Sequence, residues 1–338
     1  MTDLPNKQPE AALRAAYQKD AGDEAFFAAL NEHLARFNPP PVATPTEPQS
    51  HALVYVVGVP RSGTTLLSQL VAKHLDIGYI NNLVARFWRN PAVGIRLSQA
   101  CVGSDVGRQV TLESNQGVTS GVAGPHEFGY FWRHWLRLDD CSTHHLTAAQ
   151  LAKLDQPGLS QALASITAGF NRSVMFKNVI CGLHAKFLTA LHPRSLFVWI
   201  RRDEESTVRS ILQARHNRSG SYQPWWSLKP STFPFTQLGV DPVVDVVRQV
   251  RDCAREFAAE LAQPGVNAIE IDYDVMCRNP AAALQQITKA TAALGGNAPA
   301  VGAAPKPLNA SRGKPLPSPW QERVEELCTL ITTRARVA

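Results

Sequence analysis

The sequence predicts an α/β protein built on a parallel sheet, and three observations carry that prediction. The run Leu53-Val54-Tyr55-Val56-Val57 is short, apolar and β-branched, as a strand buried on both faces must be, and a helically periodic segment from Leu66 to Leu75 follows it across a glycine-containing turn. Apolar runs at Ser195-Leu196-Phe197-Val198-Trp199-Ile200 and Ser173-Val174-Met175-Phe176 repeat the strand pattern between helical segments. At 338 residues with 44% hydrophobic content the chain buries a large core, which suits one sizeable α/β domain with insertions better than two.

The first fifty residues stand apart from that pattern. From Pro9 to Phe37 the chain is helix-forming, with Phe26, Leu30, Leu34 and Phe37 recurring on one stripe that is expected to pack on the main domain. Pro39, Pro40, Pro41, Pro45 and Pro48 make the stretch from Asn38 to Ser50 a stiff linker. The expected division is therefore residues 1–50 as N-terminal helix and linker, and 51–338 as a single α/β domain.

The turn after the first strand is built for an anion. Gly58 and Gly63 let the backbone approach a ligand, and Arg61, Ser62, Thr64 and Thr65 surround the exposed N–H groups of a helix start. The glycine spacing equals that of the nucleotide-binding loop GxxxxGK[ST], but Thr64 stands where the lysine belongs and the cation, Arg61, sits inside the loop. That lysine and its Mg²⁺ neutralise the terminal phosphates of ATP, whereas a sulfuryl group carries less charge and needs less. An ATP-dependent kinase is disfavoured on the same ground, and no aspartate placed to hold Mg²⁺ closes an apolar strand downstream.

Further along, Ile77 to Ile80 forms a second short strand, followed by Asn81-Asn82. The stretch from Gly94 to Gly124 is rich in glycine and polar residues and reads as loop shaping a pocket or lid. In Gly124-Pro125-His126-Glu127-Phe128-Gly129-Tyr130-Phe131-Trp132, an ionisable pair borders aromatic residues, where a general base with a shifted pKa fits. If that segment is extended, only one of His126 and Glu127 faces the substrate. His144-His145 reads as a solvated loop pair. A helix from Leu159 to Phe170 leads to the strand that ends at Lys177, a lysine opening into the crevice where such sheets bind ligands. A helix from Leu183 to Leu191 follows, and the next strand ends in Arg201-Arg202-Asp203, with Ser210 eight positions beyond Arg202. A guanidinium fork and a hydroxyl there suit a phosphate. Tyr222, Trp225 and Trp226 lie in a loop between His216 and Pro234, either walling a pocket or anchoring the loop. Asp241 to Leu261 is a strongly amphipathic helix, Asn267 to Tyr273 a last strand, and Trp320 to Arg334 a final helix. The formal charge, 34 − 28 = +6, is dispersed, which suits an anionic ligand without requiring nucleic acid. The six cysteines form neither a metal-ligand pattern nor a disulfide framework, and no run approaches the length of a membrane span, so a cytoplasmic protein is expected.

The string Gly-Val-Pro-Arg-Ser-Gly-Thr-Thr-Leu resembles the 5′-phosphosulfate loop of sulfotransferases that use 3′-phosphoadenosine 5′-phosphosulfate (PAPS). It is similar above all to the variant in tyrosylprotein sulfotransferases and their bacterial relatives. The segment from Arg202 to Ser210 resembles the 3′-phosphate site of the same family. The resemblance spans about Leu53 to Arg334 and implies a P-loop NTPase-like three-layer α/β/α fold, with a central parallel sheet of about five strands. It implies PAPS as co-substrate without a metal, and an acceptor hydroxyl on a small molecule, glycan or lipid. Arg61, Ser62, Gly63, Thr64, Thr65, Arg202 and Ser210 are the cofactor-binding candidates. Arg312 joins them, with Lys314, from a late basic turn whose order differs from the Arg-Lys-Gly of cytosolic members. Lys177 and Arg61 would stabilise the leaving phosphate. The family's glutamate after the loop has no counterpart near Asn82, where the sequence reads Tyr79-Ile80-Asn81-Asn82-Leu83. The base is then Glu127 or His126, with Glu127 favoured because a glutamate's role was vacated. A nucleotide-binding module without activity remains the alternative that this vacancy motivates.

Overall fold

The structure is a computed structural model that describes residues 19–37 and 51–334. The expected linker at 38–50 and the expected start of the N-terminal helix lie outside the described residues.

Five strands, β1 (Leu53–Val57), β2 (Gly78–Tyr79), β3 (Val174–Lys177), β4 (Ser195–Arg201) and β5 (Asn267–Asp272), form one sheet in the order β2-β3-β1-β4-β5. Every neighbouring pair is parallel, so the three-layer P-loop-like α/β/α fold expected from the sequence is the fold observed. β1 lies at the centre with all five residues buried, which is why its sequence is an unbroken apolar run. The sheet separates two apolar cores. Leu53, Tyr55 and Val57 face one of them, and Val54 and Val56 face the other.

Tyr55 pairs in register with Phe176 on β3 and Phe197 on β4, and its ring stacks on both at 5.5 and 4.9 Å. Trp132, on the helix α4 introduced below, closes over this aromatic row, 6.1 Å from Tyr55 and 5.5 Å from Phe176.

The helices are, in chain order, α1 (Ala21–Leu34), α2 (Thr64–His74), α3 (Pro91–Val102), α4 (Gly129–Trp135), α5 (Ala148–Leu151), α6 (Gln156–Phe170), α7 (Ala185–Leu191), α8 (Glu204–Ser219), α9 (Pro242–Leu261), α10 (Tyr273–Arg278), α11 (Pro280–Ala293) and α12 (Trp320–Arg334). Their starts carry the caps that the sequence supplies: Asp203 accepts from the Ser206 N–H at 2.8 Å, and Asp241 accepts from Val243 and Val244. Among the described residues no helix is long and apolar enough to cross a membrane.

Two expectations change. α1 packs through only part of the stripe the sequence suggested: Leu30 and Leu34 are half-buried, but Phe26 and Phe37 point to solvent, and the buried residue is Asn31. Its amide donates to the Arg86 carbonyl at 2.8 Å and accepts from the Arg89 N–H at 2.9 Å, so a polar side chain satisfying backbone groups fixes the docking face. The region read as loop from Gly94 onward begins with α3. Pro91 fits the first helical position, and Ile95 and Ser98 are buried against neighbours that the local sequence does not contain.

Candidate active site

The chain leaves β1 toward β2 and β3 on one side and reaches β4 and β5 on the other, so the carboxyl tips of β3, β1 and β4 border one crevice. The turn after β1 shapes its floor. A Cβ at Gly58 would stand 2.5 Å from Ser62 Oγ and 2.7 Å from the Ile200 carbonyl oxygen, so only glycine lets this turn lie against β4. Gly63 has φ +108°, and a Cβ there would meet the Tyr273 ring at 2.5 Å. α2 starts at Thr64 with no side-chain cap, which leaves its first N–H groups, with the Thr64 and Thr65 side chains, on the crevice. Ser62 is turned underneath, buried against the sheet, and its side chain does not line the crevice.

Arg61 lies in the left-handed region at φ 70° and its Nε donates to Ser210 Oγ at 2.9 Å. Arg202 donates from Nη1 to the Arg61 carbonyl at 3.0 Å and from Nη2 to the Ser311 carbonyl, with its guanidinium 4.7 Å from the Tyr273 ring centre. Tyr273 thus supports both the close turn at Gly63 and the cation, and its hydroxyl accepts from the Ser311 N–H at 3.2 Å. The turn at 309–313 therefore closes on the crevice through Ser311. Arg312 is drawn away, to Asp274 at 2.8 Å and Asp203 at 3.4 Å, because those carboxylates offer a better partner than open solvent. It braces the turn and does not line the crevice.

Lys177, at the tip of β3, is 3% exposed. Its ammonium donates to the Gly117 carbonyl at 3.0 Å and lies 3.3 Å from a Glu127 carboxylate oxygen. Gly117 belongs to a tight hairpin in which Asn115 and Val118 exchange backbone hydrogen bonds of 2.9 and 3.0 Å. Gln116 and Gly117 both have positive φ, 49° and 90°, as the type I′ turn requires. The Gly117 carbonyl also accepts from Thr65 Oγ1 at 3.4 Å. The hairpin is fastened on one side by Gln69, which donates to the Thr111 and Glu113 carbonyls at 3.0 and 2.7 Å. Asn82 fastens the other, donating to the Gly121 and Thr119 carbonyls at 2.7 and 3.2 Å. Asn82 is thus a loop anchor.

His126 lines the same wall. Its Nδ1 accepts from the Phe128 N–H at 2.9 Å, which places the ring proton of the neutral form on Nε2. Crowding by the surrounding protein pushes its pKa down to about 4; Glu127 opposes that shift, and Lys177, Arg86 and Lys19 add to it. The residue is nonetheless open to the crevice, and the ring is neutral at pH 7. The aromatics after Glu127 go inward: Phe128, Phe131 and Trp132 are fully buried and tie this segment to the sheet.

The crevice has a volume of about 870 Å³. Of the three loop aromatics only Trp226 lines it, with Arg218 5.3 Å over its ring. Tyr222 packs on Trp320 and Trp225 on Phe233, at 5.3 and 4.7 Å, so both anchor the loop. His144 and His145, expected to be solvated, are half-buried and hydrogen-bonded. His144 accepts from the Lys229 N–H at 3.1 Å, His145 pairs with Glu256 at 3.0 Å, and His184 donates to the His144 carbonyl at 2.9 Å. Among the described residues no group of three or more His, Cys, Asp or Glu side chains is placed to hold a metal ion. Of the residues that the sequence did not single out, Gly117 carried a faint turn signal in Asn115-Gln116-Gly117, while Asn178, which holds the Glu127 carbonyl, carried none.

A family model described as the sulfotransferase family matches residues 54–292, from the first strand into α11 and over more than half of the chain. No curated protein matches. Solved structures similar to this chain include three bacterial ones. Sulfotransferase STF9 from Mycobacterium avium has a TM-score of 0.47 at 14% identity, covering 90% of this chain and 71% of that one. Sulfotransferase STF1 from Mycobacterium tuberculosis H37Rv has a TM-score of 0.42 at 16% identity, covering 80% and 72%. The sulfotransferase domain of the Synechococcus PCC 7002 olefin synthase has a TM-score of 0.38 at 15% identity, covering 74% and 76%. The family match begins at the strand whose carboxyl tip opens the Arg61 turn and takes in Lys177, Arg202 and Ser210: the chain belongs to the sulfotransferase family.

Proposed function

We propose that the protein transfers a sulfuryl group from PAPS to an acceptor hydroxyl. The observation that carries this reading is the joint between two anion-binding groups on one wall. Arg61 reaches Ser210 at 2.9 Å, and Arg202 reaches the Arg61 carbonyl at 3.0 Å, so the loop at the tip of β1 and the pair after β4 form one continuous surface. PAPS bears a phosphosulfate at one end of its ribose and a phosphate at the other. Among the described residues the cavity lining has five cations (Lys19, Arg61, Lys177, Arg202, Arg218) and two carboxylates (Glu113, Glu127), a surplus that suits such an anion. The residues fit it in detail as well. Arg202 Nε is buried without a hydrogen-bond partner, and the start of α2 is uncapped.

When bound, PAPS supplies the sulfuryl group: a bond forms from the acceptor oxygen to sulfur as the bond from sulfur to the 5′-phosphate oxygen breaks. Glu127 takes the acceptor proton. Its carboxylate has free lone pairs at the cavity, whereas the Nδ1 lone pair of His126 is committed to Phe128 and its Nε2 carries a proton. His126 is accordingly a hydrogen-bond donor to an oxygen in the cavity. Lys177, Arg61 and the N–H groups at the start of α2 hold the charge that collects on the departing phosphate. A kinase reading has no support here, since the tip of β3 presents a lysine and β4 leads into arginines.

The test is calorimetry with adenosine 3′,5′-bisphosphate, the desulfated product. Arg202→Ala removes the charge and the unpartnered Nε–H donor and is expected to weaken binding by about 10- to 100-fold, in line with roughly 1.5–3 kcal/mol for a hydrogen bond to a charged group. An unchanged affinity would overturn the assignment.

A further inference from the structure

The structure assigns Asn178 as the residue that positions Glu127, an inference resting on Glu127 as the base. Asn178 follows Lys177 at the carboxyl end of β3 and is 4% exposed. Its Nδ2 donates to the Glu127 carbonyl at 2.8 Å, and its Oδ1 accepts from the Ile180 N–H at 2.8 Å. Both halves of the amide are thus used, one on a donor and one on an acceptor, so its orientation is fixed by its partners. The adjacent Lys177 holds the carboxylate of the same glutamate at 3.3 Å. Two consecutive residues therefore grip Glu127 at both ends, Asn178 by the main chain and Lys177 by the side chain.

The grip matters because little else restrains this glutamate. Its side chain is 54% exposed, and it sits between His126, whose N–H donates to the Ile80 carbonyl at 2.8 Å, and Phe128, which lies in the left-handed region at φ 55°. A base must be held within a fraction of an ångström of the proton it takes, and a misplacement of about 1 Å can lower turnover on the order of 100-fold. Without Asn178 the Glu127 carbonyl has no donor, and the turn from 126 to 128 is free to relax toward solvent.

Asn178→Ser tests this in the full chain. Serine at this position retains a cap for the Ile180 N–H but is too short to reach the Glu127 carbonyl. In the ligand-free protein, hydrogen exchange of residues 126–130 read by mass spectrometry is expected to rise at least tenfold, with the strands unchanged. Turnover is read as release of adenosine 3′,5′-bisphosphate from PAPS with water as acceptor. It is expected to fall about 10- to 100-fold with KM for PAPS within twofold, and to fall no further when Asn178→Ser is added to Glu127→Gln. Equal losses in the two backgrounds, or exchange and turnover both unaltered, overturn the positioning role while leaving Glu127 as base. If Glu127→Gln itself has no effect, or wild-type release is no faster than the uncatalysed rate, the base assignment fails and the positioning role fails with it.

Discussion

His126 and Glu127 are neighbours in sequence with opposite chemistry. The histidine is neutral in one tautomer, fixed by the Phe128 N–H, while the carboxylate faces the cavity beside Lys177. Glu127→Gln is therefore expected to lower turnover by about 10²–10⁴, the usual worth of a general base, while His126→Gln, which retains a donor, lowers it by less than roughly tenfold. Single-turnover release of the bisphosphate product measures both, and the reverse order would move the base to His126. Lys177 and Arg202 could be placed on the crevice from the sequence because a strand end fixes where a residue opens. Glu127 could be named but not separated from His126, because the decision depends on a lone pair whose partner is set by a left-handed turn at Phe128. Asn178 was invisible, since nothing local marks an asparagine whose carbonyl partner lies 51 positions earlier.

The elements differ in how much of their placement is local. The buried strands and the helices α6, α9 and α12 follow their hydrophobic periods within a few residues. α3 did not, because glycine and polar residues dilute its pattern and its packing comes from α6 and the short helical turn at Val84–Phe87. α1 misled for the opposite reason: its apolar stripe was plain, yet Asn31 decides the face. The loop carrying Trp226 is a third case. Gln249 on α9 donates to the Trp226 and Leu228 carbonyls at 2.9 and 2.7 Å, and Arg215 on α8, 1% exposed, reaches the Tyr222 carbonyl at 3.4 Å and lies 5.1 Å from Trp225. Burial pulls the Arg215 pKa down to about 10 against the pull of Asp245. Gln249→Leu leaves two carbonyls without donors and is expected to destabilise the fold by about 1–3 kcal/mol. Urea titration measures that loss, and limited proteolysis is expected to cut first within 222–230.

Across the whole molecule, the histidines make stability depend on pH. Burial holds His144 and His184 well below their ordinary 6.5, at about 4 each, with Lys229 and Arg133 adding to the effect at His144, while the bond to the His144 carbonyl opposes it at His184. Because the unfolded chain takes up these protons first, stability is lost as pH falls below about 6.5 and continues to fall to about 4, with a limiting slope near 3 kcal/mol per pH unit for the pair. His145 runs the other way. Its bond to Glu256 raises its pKa, so its contribution is complete at low pH and is lost as pH rises through the raised value, on the alkaline side of the window in which the other two act. Thermal melting is expected to fall between pH 7 and 4.5, and His184→Gln, which can donate the same bond but cannot titrate, is expected to flatten that fall. A pH-independent melting point would exclude both histidines as the cause.

The Gly117 carbonyl, engaged by Lys177 and Thr65 at the tip of its hairpin, has one more effect. It is a tethered neighbour, held at a local concentration on the order of millimolar or more, and with Glu127 it occupies two of the three N–H donors of the ammonium, so an incoming anion meets a cation that is already largely engaged. Chloride or inorganic sulfate, gripping at a single point, is expected to gain little from that cation. A ligand fastened at two distant points is expected to gain more, which would make the crevice select anions by their length as well as by their charge.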